Sequence, residues 1–446
     1  MNYAHSFKAN PHWLPASAGH GVDHLPGDDG LPIVGNLLGQ LADPHGFADR
    51  MVARHGLVYR TKSFGRRWVS LLGADANELI LFDRDKIFSS EQGWGPMLNL
   101  LFPRGLMLMD GEQHRAHRRT LSVAFKPEPM RRYADALSQG IAARLESWAG
   151  RDILFYPEIK QLTLDLAASS FLGLPLGAEA DRINRAFVDE VAASIGIARV
   201  PLPFTAMRRG VRGRSYLIEL FEREVPRRRE SDSEDLFTQI CRATDEDGRL
   251  LDAHQIADHM NFLMMAAHDT ITSSVTAMVW QLGREPEWQE RLREETASAP
   301  GPEQLPLTEM AFKETLRLMA PVPAIPRRAI KPFSFAGYDL PAGTYVTASP
   351  AYAHRMAEYW PEPRRFDPAR FTPEAVRARH KFAWVPFGGG AHMCLGLHFA
   401  MLQARLFFHQ LLPQCRISLT GNPDAPWQAW PIPTPRDGLP IRLERL

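Results

Sequence analysis

Cysteine is scarce in this sequence, and the scarcity excludes two classes of cross-linked protein. Cys241, Cys394 and Cys415 are the only cysteines in 446 residues, and no two of them form a C-x-x-C pair. A disulfide framework and a cysteine-rich zinc site both need more cysteines at closer spacing. A reducing cytoplasm is therefore the expected compartment.

Long apolar runs are lacking as well. Residues 1–24 are polar and are interrupted by Pro11, Pro15 and Gly19, whereas a membrane-spanning helix needs roughly twenty apolar residues. We therefore expect a flexible leader over residues 1–24 and no transmembrane anchor. An excess of one charge is also absent, since 52 lysines and arginines stand against 51 aspartates and glutamates. Overall charge thus gives no reason to expect nucleic acid as a partner.

A glycine-rich loop around Cys394 is the most informative stretch. Residues 387–396 read FGGGAHMCLG and precede an apolar helix expected from Leu397 to about Leu411. Glycines lack the Cβ atom that would keep a large planar ligand from the backbone, and they permit turns with positive φ. Because a helix N-terminus stabilises negative charge, we expect a lowered pKa for the Cys394 thiol. A buried, unreactive thiol is the alternative for a lone cysteine.

The pattern F-G-x-G-x-H-x-C-x-G resembles the haem-binding loop of the cytochrome P-450 monooxygenases at every fixed position. In that family the cysteine thiolate is the axial ligand of the haem iron. The resemblance implies that Cys394 ligates the metal and that Phe387, Gly388 and His392 contact haem b. It also implies a mainly α fold with a small β portion. A single haem-enclosing domain would then span residues 25–446, as in soluble bacterial members.

A basic segment follows Asp110. His114 and Arg118 are four residues apart, so they share one helical face. Haem carries two propionates, and burying carboxylates requires cationic hydrogen-bond donors. Many bacterial members have His-x-x-x-Arg here, so the resemblance assigns His114 and Arg118 to the propionates. A solvated basic face is the alternative, and it fits Arg115 and Arg119 better.

A proline-rich segment at residues 321–328 is expected to be rigid and extended, because each proline restricts its own φ and the residue before it. In the family this segment passes over the haem edge. The resemblance therefore makes Arg327 the third propionate ligand, with its neighbour Arg328 as the alternative. Val322 and Ile325 become candidates for the substrate pocket.

A long helical pattern from about Asp252 to Leu282 contains an Asp-Thr pair. A buried acid and hydroxyl in mid-helix are costly, so they call for a reason. The family motif is Ala/Gly-Gly-x-Asp/Glu-Thr, whose acid–alcohol pair relays protons, and the resemblance assigns this role to Asp269 and Thr270. Ala267 replaces the usual glycine. A helix N-cap is the alternative for such a pair, but the helical pattern continues on both sides.

The substrate pocket is expected to be apolar. The stretch between Ser89 and Met109 mixes glycine and proline with apolar residues and predicts a structureless loop over a binding site, with a loop packed on the core as the alternative. With the resemblance, the pocket candidates are Trp94, Met97, Leu98, Leu101, Phe102, Met264, Ala266, Ala267, Val322, Ile325 and Ile432. Terpenoid, steroid, retinoid-like and fatty-acyl compounds all fit such a lining.

Glu314 and Arg317 are three residues apart, which by itself is typical of a surface salt bridge. Further along the chain, the sequence FDPARF at residues 366–371 resembles the Pro-x-Arg-Phe element of the family. The resemblance implies that Arg370 joins Glu314 and Arg317 in a buried structural triad that holds the Cys394 loop.

The function implied by the resemblance is haem-thiolate monooxygenation with O2 and two electrons. No flavin or iron–sulfur segment is recognisable, so a separate ferredoxin with its reductase is expected, docking near Arg115, Arg119 and Arg405. A peroxide-driven peroxygenase or isomerase and a haem-based sensor are the alternatives. The apolar segment 200–204 resembles the mobile lid of the family, with contact to a membrane surface as a further alternative. A monomer is expected.

Overall fold

The computed structural model describes residues 12–15, 18–32, 34–63, 65–174, 177–194, 196 and 200–446. Within these ranges the chain is mainly helical with a small β portion, as expected. The α-helices are α1 Leu37–Ala42, α2 Pro44–His55, α3 Ala74–Phe82, α4 Ser90–Leu98, α5 Gly111–Ser122, α6 Pro127–Trp148, α7 Phe155–Leu172, α8 Ala178–Ser194, α9 Ala206–Glu230, α10 Leu236–Arg242, α11 Ala253–Arg284, α12 Pro286–Ser298, α13 Pro306–Leu318, α14 Pro350–Ala353, α15 Pro373–Ala378 and α16 Leu397–Gln414.

In the described part of the chain, the strands form four small sheets. The largest has the order β1-β2-β3-β9-β6-β4, and the others are β10-β13-β5, β11-β12 and β7-β8. Their bounds are β1 Gly27–Asp28, β2 Val58–Ser63, β3 Arg66–Leu71, β4 Phe88–Ser89, β5 Asp152–Leu154, β6 Ile325–Ala329, β7 Phe333–Phe335, β8 Tyr338–Leu340, β9 Tyr345–Ala348, β10 Cys415–Leu419, β11 Trp427–Gln428, β12 Thr434–Pro435 and β13 Pro440–Arg445.

Helix α11 runs through the core. Asp252 caps its N-terminus by accepting from the Gln255 amide, and the Gln255 side chain accepts from the Asp252 amide, so the helix begins with a capping box. Helix α11 contacts α7, α9 and α13, and most of its residues are buried. A helix that is buried on nearly all sides is expected to be apolar all round. Helix α11 nevertheless buries several polar side chains, among them Asp258, His259, Asn261, His268 and Asp269, and such groups need hydrogen-bond or charged partners.

Helix α4 occupies part of the stretch for which the sequence predicts a structureless loop, and that prediction was wrong over residues 90–98. Ser89 caps the helix by accepting from the Gln92 amide. Gly93 and Gly95 permit close packing here, since a Cβ at Gly93 would lie 2.5 Å from the Arg327 Cα atom. Two glycines and Pro96 weaken a helix by several kcal/mol in sum, about 1 for each glycine and about 3 for proline. Helix α4 therefore depends on its tertiary contacts.

The expected leader is not loose where the structure describes it. Val22 and Leu25 are buried in the same hydrophobic cluster as strands β2, β3 and β9, and Trp13 donates to the Glu91 carboxylate at 2.9 Å. Residues 12–15 and 18–24 therefore pack against the domain, and no boundary is visible at residue 24.

Among the described residues, no helix is both long enough and apolar enough to cross a bilayer. The apolar residues Val200, Leu202 and Phe204 precede α9 and are exposed, Phe204 by 98%.

Candidate active site

The Cys394 loop folds tightly between α3 and the start of α16. The Cys394 amide donates to the Phe387 carbonyl at 2.9 Å, and Gly388 and Gly390 have φ values of +70° and +60°. A Cβ at Gly390 would lie 2.2 Å from the Leu81 carbonyl oxygen. The glycines were expected to admit a planar ligand, but Gly390 instead admits helix α3.

The environment of the Cys394 sulfur differs from the sequence expectation in one respect. Cys394 is accessible, whereas Cys241 and Cys415 are buried, so it is not the inert core thiol of the alternative. Burial in a recess raises the pKa of the Cys394 thiol, although the Gly396 amide and the Arg118 charge oppose that effect. The expected lowering was therefore wrong for the free thiol. A metal cation bound to the sulfur would stabilise the thiolate more strongly than the Gly396 amide and the Arg118 charge do.

Three basic side chains gather beside this loop. His114 and Arg327 are 2% and 4% exposed, and Arg118 is half-buried on the same helix as His114. Burial lowers the pKa of Arg327 to about 10. Burial also lowers the pKa of His114 to about 3, and the positive charges of His392 and Arg118 add to this effect.

These groups lack anionic partners within the described part of the chain. Neither Arg118 nor Arg327 forms an ion pair there, and Arg327 donates to the Pro326 carbonyl at 2.9 Å. The His114 Nε2 atom is buried without a hydrogen-bond partner. Buried cations and an unsatisfied imidazole beside an accessible cysteine suit a ligand with two carboxylates. The residues present therefore fit haem.

Strand geometry separates Arg327 from Arg328. Successive side chains of a strand point to opposite faces, and the Arg328 guanidinium donates to the carbonyls of Leu14, Pro15 and Gly343. Arg328 is thus engaged elsewhere, and the geometry favours Arg327 as the residue that faces the ligand.

Asp110 is a member of the site that sequence reasoning missed. It precedes α5 and accepts hydrogen bonds from the Ser89 hydroxyl and the Ser90 amide. The His392 Nε2 atom lies 3.7 Å from it, and the His392 ring stacks on His114 with 4.0 Å between centroids. Burial alone would raise the pKa of Asp110, but His392 and the two serines lower it overall. Asp110 therefore holds His392 over the basic cluster.

The two members of the Asp-Thr pair in α11, Asp269 and Thr270, contact different groups. The Asp269 carboxylate lies 3.3 Å from the Lys160 Nζ atom of α7 and 3.1 Å from the His268 Nε2 atom. Burial would raise its pKa, but His268 and Lys160 lower it to about 2. Thr270 is less buried, and its hydroxyl donates to the Ala266 carbonyl at 3.0 Å. Sequence reasoning missed Lys160, because only the fold brings α7 against this turn of α11.

The accessible face of α11 carries Ala266, Ala267 and Thr270, which are spaced three and four residues apart. Met264 is 1% exposed, and its carbonyl contacts the ring of the buried His268. The expectation that Met264 faces the pocket stays a prediction. Leu101 and Phe102 are equally buried in the main core cluster, and their place in the pocket likewise stays a prediction.

The remaining pocket candidates come together from separate segments. Trp94, Val322 and Ile325 pack in one hydrophobic cluster, while Leu98 and Met97 lie against the main core. Ile432 belongs to the connection between β11 and β12, which the Ser273 hydroxyl binds through the Pro433 carbonyl at 2.7 Å. That hydrogen bond fixes the connection one turn beyond Thr270.

The structural triad forms a buried network. Arg317 donates to both oxygens of Glu314 at 2.7 and 2.8 Å, and the Arg370 Nε atom lies 3.5 Å from Glu314. Arg317 also donates to the backbone carbonyls of His354, Pro363 and Arg365. Both Glu314 and Arg317 are completely buried.

His354, which sequence reasoning missed, connects this network to the Cys394 loop. Arg317 holds the His354 backbone, and the His354 Nε2 atom accepts from the Val385 amide at 3.0 Å. The Val385 carbonyl in turn accepts from Gly388. The connection from Glu314 to the cysteine loop therefore runs through one neutral imidazole.

We expect the stability of the protein to fall in acid because of His354. Burial, together with the Arg317 charge, lowers its pKa to about 3 from 6.5. Between pH 6.5 and pH 3 the His354 imidazole is protonated in the unfolded chain but not in the folded protein. The contribution of the neutral His354 to the free energy of unfolding is therefore complete above pH 6.5 and is lost as pH falls toward 3. At pH 5 the loss is about 2 kcal/mol.

Urea unfolding at pH 7.5 and pH 5 tests this expectation. His354→Gln keeps an acceptor for Val385 and should lose less stability between the two pH values than the unsubstituted chain. The exposed His20→Gln control should retain the full pH dependence. An equal pH dependence in all three proteins would contradict the argument.

Comparison with known proteins identifies the family. The cytochrome P450 family model matches residues 25–435. Cytochrome P450 136 of Mycobacterium tuberculosis is 37% identical over 440 residues, covering 95% of this chain and 89% of the relative. A taxane 10-beta-hydroxylase of Taxus cuspidata is 28% identical, covering 94% and 89%. The solved structure of a retinoic acid-bound cyanobacterial P450, CYP120A1, superposes with a TM-score of 0.87 at 29% identity, covering 95% of this chain and 99% of that one. On this fold and this site, the chain belongs to the cytochrome P450 family of haem-thiolate monooxygenases.

Proposed function

We propose that this protein binds haem b through the Cys394 thiolate and hydroxylates a hydrophobic small molecule, using O2 and electrons from a ferredoxin-type donor and its reductase. The observation that carries the proposal is the basic cluster beside an accessible cysteine. His114, Arg118 and Arg327 lack carboxylate partners among the described residues, and together they suit the two propionates. His392, whose Nε2 atom lies 3.7 Å from Asp110, is the fourth proposed ligand of the propionates. Phe387 and Gly388 lie at the start of the same loop.

The haem, when bound, supplies oxygen activation, and the protein supplies binding, orientation and protons. Thr270 lies on the accessible face of α11 and carries a hydroxyl that can donate a proton into the pocket. Because its pKa is about 2, Asp269 is ionised near neutral pH. It can therefore accept a proton transiently and transfer it, but it is not a resting proton donor. Lys160 is 29% exposed and connects Asp269 to solvent. We infer that protons enter past Lys160 and reach the pocket through Asp269 and Thr270.

Replacing Thr270 with valine should uncouple the reaction, since valine keeps the volume but removes the hydroxyl. We expect the ratio of hydroxylated product to released hydrogen peroxide to fall roughly tenfold or more. Peroxide and product are measured against the reducing equivalents consumed. Thr270→Ser keeps the hydroxyl and should retain most of the coupling. Equal coupling in all three proteins would instead favour the peroxygenase or sensor alternatives, which need no proton relay.

The accessible pocket candidates indicate a hydrophobic substrate. Trp94, Met97, Val322 and Ile432 contribute partly accessible apolar groups from three segments, and Ile325 is buried beside Val322. Two similar proteins point the same way, since one is named for a taxane and the other is solved with retinoic acid. We therefore place terpenoid and retinoid-like compounds ahead of steroids and fatty acids.

The expected electron-donor face is less basic than the sequence suggests. The three arginines named for it each pair with a carboxylate, namely Arg115 with Glu112, Arg119 with Glu246 and Arg405 with Glu309. A mixed-charge surface steers a partner less strongly than a purely basic one. We retain a separate donor in the proposal, and we do not assign its contacts to these arginines.

The carbon monoxide difference spectrum of the dithionite-reduced protein tests the proposal directly. A Soret band at the long-wavelength position for which the family is named would show thiolate ligation. A band at the position given by neutral ligands, in protein with full haem content, would overturn the assignment of Cys394. Terpenoid and retinoid panels can then be screened on the same sample through the spin-state shift.

A further inference from the structure

The described part of the N-terminal segment lies across helix α4. We call residues 12–15 the N-terminal strap. The Trp13 Nε1 atom donates to the Glu91 carboxylate at 2.9 Å, and the Leu14 amide donates to the Gln92 side chain at 3.0 Å. Both acceptors belong to the first turn of α4. The strap therefore grips the helix at its N-terminal end.

A second contact holds the middle of the helix. A Cβ at Gly95 would lie 2.2 Å from the Trp13 ring, and a Cβ at Gly93 would lie 2.5 Å from the Arg327 Cα atom on β6. The two glycines thus let Trp13 and strand β6 approach the helix backbone closely. Helix α4 is clamped between the strap and the strand.

Arg328 fastens the strap to the same strand. Its guanidinium is 1% exposed and donates to the carbonyls of Leu14 and Pro15 at 2.8 and 2.7 Å. It also donates to the Gln92 side chain at 3.2 Å. One buried cation therefore binds the strap and α4 together, and its neighbour Arg327 lies beside the cysteine loop.

We propose that Trp13 and Arg328 are positioning residues that hold α4 over the substrate pocket. The helix cannot rely on its own sequence, because Gly93, Gly95 and Pro96 all disfavour it. It carries the pocket candidates Trp94, Met97 and Leu98, so its position decides where these side chains stand. That α4 lines a substrate pocket rests on the proposed function. The clamp, by which we mean the packing of α4 between the strap and strand β6, does not.

Hydrogen exchange measured by mass spectrometry on the full-length, haem-loaded protein tests the clamp. Trp13→Ala should accelerate exchange of the amides of residues 90–98 by about tenfold or more. Trp288→Ala removes another half-buried tryptophan, which stacks on Arg291 in α12, and it should leave these amides unchanged. Trp13→Phe refills the contact with Gly95 without the bond to Glu91, and it should restore part of the protection.

A double-variant cycle distinguishes direct positioning from general destabilisation. Gly95→Ala should accelerate exchange in α4 when Trp13 is present, because the new methyl group meets the ring. In the Trp13→Ala background the same change should slow exchange, since alanine favours the helix. Equal exchange of residues 90–98 in Trp13→Ala and Trp288→Ala would overturn the proposal. So would an effect of Gly95→Ala on exchange that has the same sign with and without Trp13. None of these readouts needs substrate or turnover, so failure of the proposed function would not be mistaken for failure of the clamp.

Discussion

Replacing Cys394 with serine is expected to abolish the long-wavelength Soret band of the reduced, carbon monoxide-bound protein and to reduce hydroxylation below detection. A serine hydroxyl is a far weaker anionic ligand than a thiolate, so the electron donation that favours O–O cleavage is lost. The fold should survive, because Cys394 is accessible and its side chain carries no core packing.

The two other cysteines provide matched controls. Cys241→Ser and Cys415→Ser place the same hydroxyl in buried positions, where an unsatisfied polar group costs about 1–3 kcal/mol of stability. Both variants should nevertheless keep the Soret band. Loss of the band in either control, or its persistence in Cys394→Ser, would contradict the assignment of the ligand.

Replacing Arg317 with alanine is expected to have the largest effect on stability. Glu314 would remain buried without its main cation, and three backbone carbonyls would lose their donor. Removing one partner of a buried ion pair typically costs about 3–5 kcal/mol. Because His354 links this network to Val385 and the cysteine loop, haem content should fall together with the free energy of unfolding.

Urea unfolding and the ratio of haem to protein measure both effects. The control is Arg365→Ala, since Arg365 forms an exposed pair with Glu362 at the same sequence spacing of three residues. Such surface pairs contribute about 0–1 kcal/mol, so this variant should resemble the unsubstituted protein. Glu314→Leu combined with Arg317→Met removes both charges and should recover part of the loss. An Arg317→Ala protein with normal stability and haem content would refute the structural role.

Several elements were predictable because their causes are local in the sequence. The helical pattern from about Asp252 to Leu282 predicts helix α11 to within two residues of its observed ends, because the pattern runs on without a break. Helix α16 starts at the expected residue, directly after the loop that contains Cys394.

Other features could not be predicted, because distant segments determine them. The sequence of helix α4 has a low helix propensity, and the helix forms because Trp13 and strand β6 pack against its glycines. The burial of Met264 depends on the packing of α11, which decides which of its faces is accessible.

The family and the fold class can be read from the sequence, since a spaced motif and hydrophobic periodicity are both local properties of the chain. The charges of the site residues and the contacts that hold these residues in place, by contrast, arise when the chain packs. The pairing of Asp269 with Lys160, the neutral His354 and the raised pKa of the Cys394 thiol all depend on burial and on contacts between remote segments. Burial is a property of the packed chain, and no stretch of sequence specifies it alone.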